Sequence, residues 1–176
     1  DGVHGGFLKM HLICIFYSLK CIECEPFALN RGSTMRLTQW TDYALRVLMY
    51  LATTDELASV DRIADAFGIS RNHLMKVAKH LADGGYIEAK RGRGGGLALA
   101  MPKNEISVGQ VVRSMESLSG FVECFTPETN KCPIAGACGL QGALGLAVGD
   151  FLKRLDGYSL QDLVPDRNRF EARLRG

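Results

Sequence analysis

The sequence predicts a mostly α-helical fold with one small β-hairpin: a winged helix-turn-helix followed by a long dimerisation helix. Three observations predict it. Two short amphipathic helical patterns are separated by only Gly68, Ile69 and Ser70. A basic, glycine-rich stretch then lies between two strand-like runs, Tyr86–Lys90 and Leu97–Ala100. Last comes a long apolar helical pattern beginning near Leu140, preceded by a loop rich in Pro, Gly and Asn.

A chain of 176 residues is one domain's worth, and 47% hydrophobic with 23% charged residues is ordinary for a globular protein. The net charge of +2 is too small to name a partner. The six cysteines fall into two groups of three, Cys14, Cys21 and Cys24, then Cys124, Cys132 and Cys138, so neither group can pair fully within itself. With no basic start and no small-residue cleavage site, no secretory signal is read, and the expected compartment is cytoplasmic. There thiols stay reduced and clustered cysteines bind metal or do redox chemistry.

Residues 7–19 are apolar, but Lys9 and His11 interrupt them, and they fall short of the roughly 20 residues a membrane span needs. No membrane partner is expected. The stretch has no clean helical face, whereas well-formed helical signals begin at Met35. The reading therefore takes Met35 as the natural start and residues 1–34 as a non-native or disordered extension. Cys21 and Cys24 form a Cys-x-x-Cys pair without the strand–helix context a redox motif needs.

The first domain is expected over residues 35–103. Thr38 is a good N-cap, and Trp40, Ala44, Val47, Leu48 and Leu51 make one apolar stripe behind it. Ser59 starts a second helix carrying Val60, Ile63, Ala64 and Phe67, which ends at Gly68, the residue type that tolerates a left-handed C′ position. Ser70 caps a third, with Leu74, Val77, Ala78 and Leu81 inward and Gly84–Gly85 as the stop. Small Ala64, four residues before Gly68, permits the close crossing of a helix-turn-helix.

The outer face of the third helix carries Arg71, Asn72, His73, Lys76, Lys79 and His80 behind Ser70. Its N-terminal residues are placed to reach base edges in a major groove, and its lysines suit phosphates. Between residues 70 and 93, six positive and two negative charges give +4, twice the net charge of the whole chain. The positive charge continues into the next element, where Arg91 and Arg93 sit among glycines in a hairpin loop. A solvated surface would scatter this charge; a continuous basic footprint points to double-stranded DNA. The glycine run is no phosphate loop, because no helix follows it and no Gly-Lys-Ser/Thr is present.

A second region is expected over residues 104–164, with a helix from about Val108 to Leu118 on which Val111, Val112 and Met115 are apolar. Cys124, Cys132 and Cys138 follow in a loop, with seven and five residues between them. A loop this long needs something to hold it, and bound metal is a ready candidate. Thiolates favour zinc, copper(I) or iron–sulfur clusters. The spacing is wider than a zinc knuckle, and no fourth Cys or His is near, which suits a cluster better than one ion. Beyond the loop, Leu140, Leu144, Ala147, Val148, Phe151 and Leu155 form a stripe longer than a small winged helix can bury alone, while Gly145 and Gly149 permit close helix approach. The charged tail, residues 165–176, is expected to be mobile.

Four blocks carry a family resemblance: Met35–Ala52, Gly68–Val77, Gly84–Ala100 and Val122–Leu140, with Gly157–Val164 as a closing segment. In these the chain resembles the winged-helix iron–sulfur repressors, and among them the nitric-oxide-sensing members. The resemblance implies a homodimer on promoter DNA with a 2Fe–2S or 4Fe–4S cluster held by Cys124, Cys132 and Cys138. It implies a further ligand from the partner subunit, for which the matching position is Asp42. It also implies that nitrosylation of the cluster releases the DNA. The alternative is a member that senses cluster occupancy, iron or redox state; those carry a histidine three residues after the third cysteine, where this chain has Gln141. A thiolate enzyme is not expected, because His4 and His11 lie in the extension, His73 and His80 lie on the basic face, and no Cys–His or Ser–His–Asp set is visible.

Overall fold

In the computed structural model, which describes residues 36–92, 94–117 and 121–175, Thr38 opens the first helix. Its hydroxyl accepts a hydrogen bond from Thr41 N at 3.3 Å, and α1 runs Gln39–Leu51. Ala44, Val47, Leu48 and Leu51 are buried as the stripe requires, joined by Tyr50 and Thr41, while Trp40 stays half-buried. Ser59 caps α2 (Val60–Phe67) by accepting from Arg62 N at 3.2 Å. Gly68 ends α2 at φ 62°, ψ 34°, a left-handed conformation that suits a residue without Cβ. Buried Ile69 then leads into α3 (Arg71–Asp83), which turns Leu74, Val77, Ala78 and Leu81 into the core. Each fully buried Leu or Ile contributes about 1.5–3 kcal/mol relative to an exposed one.

The wing is an antiparallel pair, β1 (Ile87–Lys90) and β2 (Gly96–Leu99), in register from Ile87 opposite Leu99 to Lys90 opposite Gly96. A third backbone segment completes it. Ala58 and Leu97 exchange two hydrogen bonds, of 3.0 and 2.8 Å, just ahead of α2. The approach is so close that a Cβ on Gly96 would stand 2.9 Å from the Ala58 carbonyl oxygen.

α4 spans Val108–Met115 and is shorter than the sequence pattern predicts. It stops because Glu116 leaves the helix at φ −99°, ψ 134° to reach α1. There its Oε1 accepts from Thr38 N (2.7 Å), Thr38 Oγ1 (3.1 Å) and Thr41 Oγ1 (2.6 Å). Such a carboxylate satisfies orphan donors at a helix N-terminus and complements its dipole.

α5 (Leu140–Asp156) lies on α4, where Val108, Val112 and Leu152 form a small second cluster. Gly109 lets the two helices touch, since a Cβ there would meet Asp156 backbone N at 2.8 Å. Arg113 clamps the same spot with a two-pronged ion pair to Asp156, of 2.5 and 2.7 Å. α6 (Leu160–Leu163) buries Leu160 and ties its backbone N to Ile106 O at 2.8 Å.

The tail corrects an expectation. Rather than a mobile strand of charge, it forms α7 (Arg167–Arg175), whose Phe170 and Leu174 pack against the main core. Arg167 fastens it, pairing with Asp55 at 3.1 Å and Glu171 at 2.9 Å. Two apolar residues four apart are enough to seat a short helix otherwise made of charge. Among the described residues, no helix is long and apolar enough to cross a membrane.

Candidate nucleic-acid interface and cysteine loop

α3 presents Ser70, Arg71, Asn72, His73, Lys76 and Lys79 exposed on its outer side, opposite the buried stripe. No acidic residue occupies its first turn, in contrast to α1 with Asp42 and α2 with Asp61. Ser70 holds the N-cap position but makes no side-chain capping hydrogen bond, so the capping expected of it is absent. Met75, 47% exposed, joins the same face. It was legible from the period alone, being out of phase with Leu74, Val77, Ala78 and Leu81, yet an apolar residue is easily assigned to a core.

His80 has a second engagement. Its Nε2 lies 2.9 Å from Ser114 O on α4, and its ring meets Trp40 edge-on at 6.2 Å. It stays exposed, as the sequence implies, while also bracing α3 against α1 and α4. Arg71 is also engaged: its Nε is 2.5 Å from Asp61 Oδ1. Among the described residues, no carboxylate pairs with Lys76, Lys79, Lys90 or Arg91.

Lys90 and Arg91 are exposed at the wing, and Arg93 lies outside the described residues. Gly92 and Gly94 have φ of 100° and 79°, values that strain any side chain with a Cβ. The glycine run is thus a condition of the tight turn that carries the wing cations.

Cys124, Cys132 and Cys138 are free thiols, each partly exposed, while Cys14, Cys21 and Cys24 lie outside the described residues. Cys124 sits in a short 3-10 turn, Glu123–Phe125. Cys132 N donates to Asn130 Oδ1 at 3.0 Å, and Cys138 Sγ accepts from Leu140 N at 3.4 Å in the opening turn of α5. Gln141 ties the two ends of the loop, donating from Nε2 to the Cys124 carbonyl at 2.6 Å. Lys131 N likewise donates to Glu123 Oε1 at 2.6 Å. As placed, the thiols do not converge: among the described residues, no three His, Cys, Asp or Glu side chains gather to hold one metal ion. By chemistry alone, three free soft thiols on one loop are the donor type that iron–sulfur groups take.

Asp42 lies in the first turn of α1 and faces Arg46 one turn on, with contacts of 2.8 and 3.1 Å. Both side chains are about half exposed, so this carboxylate is reachable from outside the chain. Glu116, which bonds to Thr38 and Thr41 beside it, was not anticipated; no local signal marks a residue whose partners lie 75 and 78 positions away.

Residues 37–166 match the Rrf2 family, described as an iron-dependent transcriptional regulator. The chain belongs to this family. Rrf2 relatives include the HTH-type transcriptional regulator NsrR of Bacillus subtilis (strain 168), 46% identical over 135 residues that cover 76% of this chain and 92% of that protein. The NsrR of Bacillus licheniformis is 43% identical over 142 residues, 80% and 99% of the respective chains. These relatives bear out the resemblance read from the four sequence blocks, and they are named as regulators, not enzymes. Among solved structures, CymR, the global cysteine regulator of B. subtilis, superposes with a TM-score of 0.59 at 20% identity over 75% of this chain and 98% of that one. T. potens IscR gives 0.59 at 21% identity, covering 75% and 88%. At that identity both speak to the fold alone, and they agree on a winged helix-turn-helix.

Proposed function

We propose that this Rrf2 regulator is a promoter-binding repressor, active as a homodimer, whose hold on DNA is controlled by nitric oxide through an iron–sulfur cluster on Cys124, Cys132 and Cys138. The observation that carries this reading is the junction at Cys138, whose sulfur is bonded to the first turn of α5. When bound, the cluster supplies iron sites open to nitric oxide. The three thiolates would hold it, and Asp42 of the partner subunit, here paired with Arg46, would be the further ligand.

The chain's own residues supply the route to DNA. α5 rests on α4 through Leu152 and the Arg113–Asp156 pair, and α4 is joined to α3 by His80 and to α1 by Glu116. A change in how the loop closes therefore reaches the helix that reads DNA through a continuous chain of packed contacts. α5 also leaves Leu140, Leu146 and Phe151 exposed at 58%, 75% and 43%, with open space at the Cβ positions of Gly142, Gly145 and Gly149. A second copy of the chain covers that face, and the spacing of two basic heads follows from how the two α5 helices meet. Gln141, bonded to the Cys124 carbonyl where cluster-sensing members carry a histidine, favours nitric oxide over cluster occupancy as the signal.

The test is anaerobic purification, visible spectroscopy and titration with nitric oxide while DNA binding is followed. Coloured, iron-containing protein that releases its promoter on titration is expected. A Cys132→Ala variant that kept both iron and the nitric oxide response would overturn the reading.

A further inference from the structure

We propose that Asp61 is a positioning residue for base recognition, bracing Arg71 so that the open edge of its guanidinium reads one guanine in each half-site. The inference rests on the DNA-binding reading above and adds to it a named base and a second residue.

Arg71 is the first residue of α3, the position from which a recognition helix reaches base edges. Of the basic footprint's described cations, Arg71 alone is held by a carboxylate, with Nε 2.5 Å from Asp61 Oδ1. Lys76, Lys79, Lys90 and Arg91 are exposed without one, as suits residues that meet phosphates wherever they fall. Asp61 is itself well placed to brace: it lies in the first turn of α2, whose start is fixed by the Ser59 cap. The Asp61 and Arg71 side chains are 60% and 61% exposed, so the pair adds little to the stability of the fold.

Its consequence lies in recognition. A guanidinium carries five N–H donors in a planar fork. The Asp61 carboxylate makes an ion-pair contact on the Nε side and leaves the end-on edge, with two parallel N–H groups, for guanine O6 and N7. A carboxylate on the Nε side biases the arginine toward the reading orientation, which lowers the ordering cost on binding and penalises other alignments. Asp61 acts a second time as a negative charge beside the phosphates, lowering affinity for DNA in general. Both effects raise the ratio of specific to non-specific binding.

The experiment is selection of binding sites from random duplex DNA by the full-length protein, followed by affinity measurement on the selected site and on an unrelated duplex. The proteins compared are wild type, Asp61→Asn and Arg71→Ala. Wild type is expected to select one guanine per half-site that depends on Arg71. Asp61→Asn is expected to lose the preference at that guanine alone, with the specificity ratio falling about 10-fold, the scale of one bidentate base contact, and non-specific affinity unchanged or higher. If Asp61→Asn selects the full wild-type motif with an unchanged ratio while Arg71→Ala loses the guanine, the brace is refuted and the reading by Arg71 stands. If Arg71→Ala keeps the guanine, base reading by Arg71 falls and the brace with it. If wild type selects no motif, the DNA-binding proposal itself fails.

Discussion

The head, from α1 to β2, and the stem, from the cysteine loop through α5, are built to different degrees of completion. In the head, Leu48, Ile63, Leu74 and Leu81 are sealed from solvent within one chain, and its helices are closed by Thr38, Ser59 and Gly68. In the stem, α5 has 17 residues and buries one of them, Leu152, while all three thiols remain partly open. The head's core is closed by residues of α4, α6 and α7 from the same chain. The stem leaves apolar surface and soft donors exposed, the basis of the proposed dimer and cluster.

The strongest way to break this comparison is to cut into each region with a similar residue. Leu81→Ala in the head is expected to cost about 2–5 kcal/mol by removing fully packed methyl groups; denaturant unfolding of the cluster-free protein measures it. Should that variant lose less than Leu146→Ala in the stem does, the head is not the self-contained part. Next in size, Leu146→Glu combined with Phe151→Glu is expected to weaken self-association by about 100-fold, since charges enter an apolar contact. Sedimentation velocity reads the shift to monomer, and circular dichroism should show the helices retained. A variant pair that stays dimeric places the interface elsewhere.

Smaller changes sharpen the picture. Gly68→Ala puts a Cβ into a left-handed position between α2 and α3 and is expected to cost about 1–2 kcal/mol. The drop in Tm should be accompanied by weaker DNA binding, because the angle of α3 is set there. The smallest effect belongs to the clamp between α4 and α5. Hydrogen bonding from Arg113 first, and then its charge, hold the Asp156 carboxyl below its ordinary value. A carboxyl whose folded pKa is depressed adds stability above its unfolded pKa and loses it as pH falls through the folded one. Wild type should therefore be modestly more stable than Asp156→Asn at neutral pH, with the gap closing below the usual carboxylate range. A gap that widens on acidification would contradict the clamp.

Much of the head was legible in advance because its signals are local. Caps at Thr38 and Ser59, the turn at Gly68 and the stripe Leu74, Val77, Ala78 and Leu81 are patterns within one or two helical turns. Three readings differ from the structure, and two of them share a cause. The sequence pattern extends α4 past Met115, gives Ser70 a capping bond and makes the tail mobile, and the structure shows none of these. In two of them a distant partner decided the outcome: Thr38 and Thr41 for Glu116, and Asp55 for Arg167.

From the sequence alone came the helix boundaries in the head, the glycine-dependent wing, the basic footprint and a cysteine trio with no histidine beside it, since periodicity, cap chemistry and charge are written residue by residue. Tertiary structure decided which of those side chains were already engaged. Glu116 finds Thr38 only after 78 residues of chain have folded back, and Asp61 meets Arg71 only once two helices cross at Ala64. Contacts of this kind depend on where elements come to rest, and packing, not local pattern, sets that.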